Sequence, residues 1–253
     1  MDLGLAGRIA LVTGATGEIG AAIATAFAAE GAKVAVAYHH DPDGAAALAD
    51  RLGAAEGRAV PVPYELADPD SPAAALAAAA ERLGPVDVLV ANAMRWGRRR
   101  GPGERFEDVA PADWMPVIAE NLAPTVRTTQ LAVAGMRAAG WGRIALISSH
   151  VATDGHHGQE FYGAAKAGLH GFARSLAWDV GPDGVLVNVV CPGLTLTRRV
   201  STGLPEAVRQ RETARTASGQ LSRAEDIAAA VVFLCSAANR NITGEVLTVA
   251  GGR

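Results

Sequence analysis

Only two of the 253 residues are lysine, Lys33 and Lys166, in a chain that otherwise carries its positive charge on arginine. Only two are cysteine, Cys191 and Cys235, and neither sits at metal-ligand spacing or in a disulfide framework. No metal site is expected, and a cytoplasmic protein is. No apolar run approaches the length of a membrane span. Residues Met1 to Gly7 lack a basic stretch followed by an apolar one and a cleavage site, so no secretory signal and no membrane attachment are expected. A net charge of -3 gives no reason to expect nucleic acid as a partner. What the chain does have is apolar residue, 49% of it, enough to fill a sizeable core.

Short apolar runs alternate with longer amphipathic segments. Strands are expected at Ile9 to Val12, Lys33 to Ala37, Ala59 to Pro63, Val86 to Ala91, Arg143 to Ser148, Val185 to Val190 and Val246 to Val249. Helices are expected between them, at Ile19 to Ala29, Gly44 to Leu52, Ser71 to Leu83, Ala112 to Ala139, Phe161 to Val180 and Ala224 to Ser236. Continuous apolar strands separated by helices indicate an α/β fold: a doubly wound (Rossmann-type) parallel sheet covered on both faces. No break rich in Pro, Gly or Ser divides the chain, so residues 1–253 read as a single domain. Residues 194–221 are polar and irregular, and an insertion of that length in a compact domain reads as a substrate lid.

Two motifs carry chemistry. The first strand runs into Thr13-Gly14-Ala15-Thr16-Gly17-Glu18-Ile19-Gly20 and then a helix. Glycines there permit close backbone approach to a pyrophosphate, and the helix N-terminus supplies free N–H groups. The second is Tyr162-Gly163-Ala164-Ala165-Lys166. Residues four apart share a helix face, and an ammonium beside a phenol lowers the phenol's pKa. The tyrosine then exchanges a proton near neutral pH. Taken alone, an exposed helix that happens to carry both residues is the better explanation of this pair.

The motifs occur in an order that resembles the short-chain dehydrogenase/reductase family over essentially the whole chain. Thr13-Gly14 to Gly20 is followed by Ala91-Asn92-Ala93, Asn121, Ser148-Ser149, Tyr162 with Lys166, Cys191-Pro192-Gly193, and Ile242-Thr243-Gly244 to Gly251-Gly252. The layout is most similar to 3-oxoacyl-[acyl-carrier-protein] reductases and related ketoreductases. The resemblance implies that Tyr162 exchanges a proton with the substrate oxygen and that Ser149 holds that oxygen. Lys166 would tune the tyrosine and bind the nicotinamide ribose. Asn121 would keep its helix locally open and link a water to Lys166. It also implies cofactor contacts from Thr13, Gly14, Thr16, Gly17, Glu18, Ile19 and Gly20, from Tyr38, His39 and His40, and from Glu65 and Leu66. Asn92, Ala93, Tyr162, Lys166, Pro192, Gly193, Thr195 and Thr197 complete that set.

Three residues depart from the family pattern. Glu18 stands in a place where the short branch has glycine, Glu65 where an aspartate contacts adenine, and Met94 where a glycine is usual. A carboxylate at 18 is expected to weaken binding of any dinucleotide. After the second strand, Tyr38-His39-His40 has no carboxylate to bind a ribose 2′-OH, which favours NADP(H) over NAD(H). His39 and His40 read equally well as phosphate donors and as solvated loop residues.

Two segments are strongly basic. One comprises Arg95, Arg98, Arg99, Arg100 and Arg105; the other comprises Arg198, Arg199, Arg209, Arg211 and Arg215. Both read either as docking sites for an anionic substrate, including one carried on acyl carrier protein, or as solvated faces or subunit contacts. Trp96 and Met94 equally suit a pocket for a ring-bearing ketone. The leading expectation is an NADP(H)-dependent ketoreductase for β-ketoacyl or polyketide-like carbonyls. A dehydrogenase of a bulky or cyclic secondary alcohol is the second, and a redox-inactive scaffold the third. Alanine-rich faces on the helices at 112–139 and 161–180 suit subunit pairing, and the resemblance implies a homotetramer.

Overall fold

The computed structural model describes residues 2–98, 100–101 and 103–253. Along the chain run β1 (Ile9–Val12), α1 (Glu18–Ala29), β2 (Lys33–Tyr38), α2 (Pro42–Arg51), β3 (Ala59–Pro63), α3 (Ser71–Leu83) and β4 (Val88–Ala91). Then come α4 (Pro111–Ala139), β5 (Gly142–Ile147), α5 (Val151–Asp154), α6 (Glu160–Val180) and β6 (Val185–Pro192). The chain ends with α7 (Arg198–Gly203), α8 (Glu206–Ala214), α9 (Ala224–Leu234) and β7 (Val246–Val249). All strand pairs are parallel, in the order β3-β2-β1-β4-β5-β6-β7.

Strand alternation builds two cores, one on each face. Ala10, Val12, Val34, Val36, Val88 and Val90 point to the side covered by α1, α2 and α9. Their neighbours Leu11, Ala35, Leu89, Ile144 and Leu146 point to the side covered by α3, α4 and α6. Successive side chains on a strand face opposite ways, so strands buried on both sides must be apolar throughout. Helix ends differ from the expected ones by one or two residues. The larger difference lies in 194–221, which was expected to be irregular and instead holds α7 and α8. Neither helix buries a residue, so neither carries the apolar stripe that would announce it in sequence.

Candidate active site

The strand order reverses between β1 and β4, and a crevice opens there at the strands' C-terminal ends. The Thr13 hydroxyl accepts hydrogen bonds from the Asn92 and Ala93 amides, both at 2.9 Å. The Asn92 side chain donates to the carbonyls of Thr13 (3.0 Å) and Gly14 (3.1 Å). These expected cofactor residues therefore fasten the two loops that form the crevice. Gly14 has φ +63°, and a Cβ on Gly20 would lie 2.3 Å from the Gly14 carbonyl oxygen. Only glycine lets α1 start this close to the loop. The N-cap of α1 is Gly17, which offers no side chain to the first-turn amides. Those unpartnered N–H groups, with Thr16 and Ile19 flanking them, fit a dinucleotide pyrophosphate.

Glu18 projects away from that cradle. Both of its carboxylate oxygens accept from the Arg198 amide at 2.8 Å, across a separation of 180 residues. The expected electrostatic penalty is thus redirected: the carboxylate clasps the start of α7, whose other N-terminal bond runs from the Val200 amide to the Thr197 hydroxyl. Thr195 bonds back to the Gly193 carbonyl at 3.1 Å, and the Gly193 amide donates to Val249. The Pro192 carbonyl receives the His150 amide.

At the far end of the crevice Tyr38 closes β2. The rings of His39 and His40 lie 3.3 Å apart, and His39 pairs with Glu65. Glu65 also accepts from the Ala67 amide at 2.9 Å, while Leu66 packs on the sheet core. Glu65, expected among the cofactor contacts, thus lies beside His39 at the end of the crevice.

Tyr162 and Lys166 lie on one face of α6, both buried. Lys166 was expected to lower the phenol pKa, and the structure corrects this. Burial dominates and pushes Tyr162 up to about 12, partly offset by hydrogen bonding with Ser149. The same burial pushes Lys166 down to about 8. Its ammonium donates to the Ile147 carbonyl at 2.8 Å and lies 5.9 Å from the tyrosine ring centre, so it spends its charge elsewhere. The phenol is a firmly protonated donor in this arrangement.

The two serines after β5 point in different directions. Ser148 donates to the Lys166 carbonyl at 3.1 Å and meets His170 at 2.9 Å, behind the site. Ser149 is left to the tyrosine side. Asn121 donates to the carbonyls of Val117 (2.8 Å) and Arg95 (2.9 Å) and accepts from the Arg95 amide (3.1 Å). Its whole side chain thus clamps the loop after β4 onto α4. Met94 puts its sulfur 3.7 Å from the Tyr162 hydroxyl, and Trp96 stacks on the tyrosine ring at 5.4 Å.

His170 was not foreseen, although its place four residues after Lys166 puts it on the same helical face. It also approaches the Cys191 sulfur at 3.5 Å, and burial lowers its pKa. Cys191 itself is fully buried in β6, a small core residue.

Most of the basic loop is neutralised internally. Arg95 pairs with Glu120, Arg98 with Glu104 and Asp113, Arg100 with Glu160, and Arg105 with Glu107; Arg99 lies outside the described residues. In the second segment Arg211 and Arg215 pair with Glu212, and Arg209 donates to the carbonyls of Ser201 and Leu204. Arg98 and Arg100 hold Glu104 and Glu160 down at about 2. A carboxylate with a depressed folded pKa stabilises fully above its ordinary value of 4.5 and loses that contribution as pH falls toward 2. The Arg98–Glu104 and Arg100–Glu160 pairs should therefore persist as pH falls through the ordinary carboxylate range. Carboxyl-carbon NMR titration of Glu104 and Glu160 reads this directly, and ordinary titration at pH 4 to 5 would contradict the pairing.

A family model described as "Enoyl-(Acyl carrier protein) reductase" matches residues 14–253. The 3-oxoacyl-[acyl-carrier-protein] reductase FabG of Escherichia coli (strain K12) is 40% identical over 97% of each chain. The cis-4-hydroxycyclohexanecarboxylate dehydrogenase of Sinomonas cyclohexanicum is 38% identical over 100% of this chain and 98% of its own. Among solved structures, a 7α-hydroxysteroid dehydrogenase complexed with NADH and 7-oxo glycochenodeoxycholic acid superposes with a TM-score of 0.90. It is 31% identical and covers 99% of this chain and 96% of its own. With the crevice, the glycine loop and the buried tyrosine–lysine pair in place, the chain belongs to the short-chain dehydrogenase/reductase family of nicotinamide-dependent oxidoreductases.

Proposed function

We propose that this chain is an NADPH-dependent ketoreductase acting on a β-keto thioester carbonyl, including one carried on acyl carrier protein. The observation that carries the reading is the buried, protonated Tyr162 phenol beside Ser149 at the mouth of the crevice. A bound nicotinamide supplies the hydride to the carbonyl carbon. As charge develops on the carbonyl oxygen, Tyr162 delivers its proton there and Ser149 donates a hydrogen bond, leaving a hydroxyacyl product. Lys166 would bind the nicotinamide ribose and so orient the cofactor beside Tyr162. Asn121 holds the loop carrying Met94 and Trp96 against the substrate. Residues 13–20 receive the pyrophosphate, and Pro192, Gly193, Thr195 and Thr197 border the nicotinamide. The substrate thioester of FabG supports the substrate class.

Preference for NADPH rests on Tyr38, which presents no carboxylate to repel a 2′-phosphate, and on the N–H groups of His39 and His40. Tyr38→Asp should move the preference toward NADH. Glu18→Gly should free α7 for proteolysis and leave the affinity for both cofactors little changed, because the carboxylate is already engaged by the Arg198 amide. Paired NADPH and NADH titrations of wild type and both variants check this; tighter wild-type binding of NADH would sink the preference.

A second reading, oxidation of a cyclic secondary alcohol, is favoured by the flat indole of Trp96 lying over the Tyr162 ring. For assembly we propose a cytoplasmic homotetramer built on the α4 and α6 faces, where Trp178 is 88% exposed. A monomeric mass by light scattering at micromolar concentration would exclude it.

A further inference from the structure

Arg199 differs from most of the arginines around it. Arg95, Arg98 and Arg100 each hold a carboxylate, and so do Arg211, Arg215 and Arg253. Among the described residues Arg199 has no carboxylate within ion-pair distance. Its guanidinium carbon sits over the Trp96 indole, 4.7 Å from the ring centre. The same indole stacks on Tyr162 at 5.4 Å, with 25° between the planes. An exposed cation therefore lies two ring contacts from the reacting phenol.

Its position is set rather than accidental. The Glu18 carboxylate grips the amide of the preceding residue, Arg198, and so fixes the first turn of α7 against the phosphate loop. Arg199 then reaches the opposite rim, where Asn121 anchors the loop carrying Trp96. A guanidinium held over an indole remains able to pair its N–H groups with a carboxylate in bidentate fashion. The acids on that side of the site do not compete for it. Glu104 and Asp113 are held by Arg98, and Glu160 by Arg100.

We propose that Arg199 and Trp96 form a carboxylate-binding subsite that selects compact ketones bearing an acid one ring or a short chain away from the carbonyl. The ring or chain lies along the indole, the carboxylate pairs with Arg199, and the carbonyl meets Tyr162 and Ser149. The reaction is unchanged: a hydride from NAD(P)H adds to the carbonyl carbon, the Tyr162 proton goes to the oxygen, and a hydroxy acid leaves. This rests on the Tyr162 chemistry above but extends it to a free acid, which a β-keto thioester does not carry near its carbonyl.

The test compares 4-oxocyclohexanecarboxylate with its neutral carboxamide, using the neutral acetoacetyl thioester of N-acetylcysteamine as a third substrate. A charge-assisted pair at this position should favour the acid over the amide by about tenfold to a hundredfold in kcat/KM, chiefly through KM. Arg199→Gln should abolish that ratio, Arg199→Lys should restore part of it, and Arg199→Glu should reverse it. Arg199 is exposed, so these variants are expected to fold, and circular dichroism confirms it. Equal rates for acid and amide, or a preference that survives Arg199→Gln, would overturn the subsite while thioester reduction still stood. Loss of all three activities in the wild type would instead overturn the ketoreductase reading and the subsite with it.

Discussion

Tyr162→Phe is expected to lower turnover by about a hundredfold or more while leaving the fold and cofactor affinity in place. The ring is buried against Val117, Val151 and Trp96, and phenylalanine preserves that packing. What is lost is the one proton that the site can deliver to a nascent alkoxide. With the phenol held up at about 12, it stays protonated across the neutral range, so reduction in the wild type should not fall off with pH through ordinary tyrosine titration. Steady-state rates for the two proteins at saturating NADPH decide this, and near-normal turnover in the variant would refute the assignment.

Lys166→Met should act in opposite directions on activity and stability. The ammonium is fully buried and its pKa falls from 10.5 to about 8. Between those values the unfolded chain binds a proton that the folded chain does not, so stability rises with pH across that window. Below 8 the folded state carries the whole cost of a buried charge. Methionine removes that cost, at the loss of the hydrogen bond to the Ile147 carbonyl. The net gain at pH 7 is on the order of 2 kcal/mol. It should shrink as pH rises from 8 toward 10.5, while turnover drops at least as far as in Tyr162→Phe. Denaturant unfolding at pH 7 and pH 10 checks the sign. A variant less stable than wild type at pH 7 would show that Lys166 is paired better than its surroundings indicate.

Much of the fold was legible because the sheet is buried on both faces. Runs such as Ile9 to Val12 and Val185 to Val190 have no polar face to disguise them. The crevice was legible for a related reason: Gly14 and Gly20 are demanded by backbone geometry, which leaves its mark in the chain. The helices α7 and α8 were not legible, because they bury nothing and read as polar loop. Proton chemistry was half legible. Spacing put Tyr162 and Lys166 on one face, but only packing reveals that burial, not the ammonium, sets the phenol's pKa. The role of Glu18 was hidden for a different reason, since its partner lies 180 residues away. The basic loop could be read two ways in the sequence, because Arg100 meets Glu160 only through the fold. Among the described residues of the two arginine-rich segments, Arg199 alone lies over the indole that covers Tyr162.

The most direct measurement follows the hydride itself. Wild-type protein is mixed with NADPH deuterated at the nicotinamide C4 and with the acetoacetyl thioester of N-acetylcysteamine, and the product is weighed by mass spectrometry. A ketoreductase built on Tyr162 yields the 3-hydroxybutyryl thioester with one deuterium at C3 in the wild type and almost none in Tyr162→Phe. Unchanged substrate with the wild type, or equal labelling by both proteins, would contradict it.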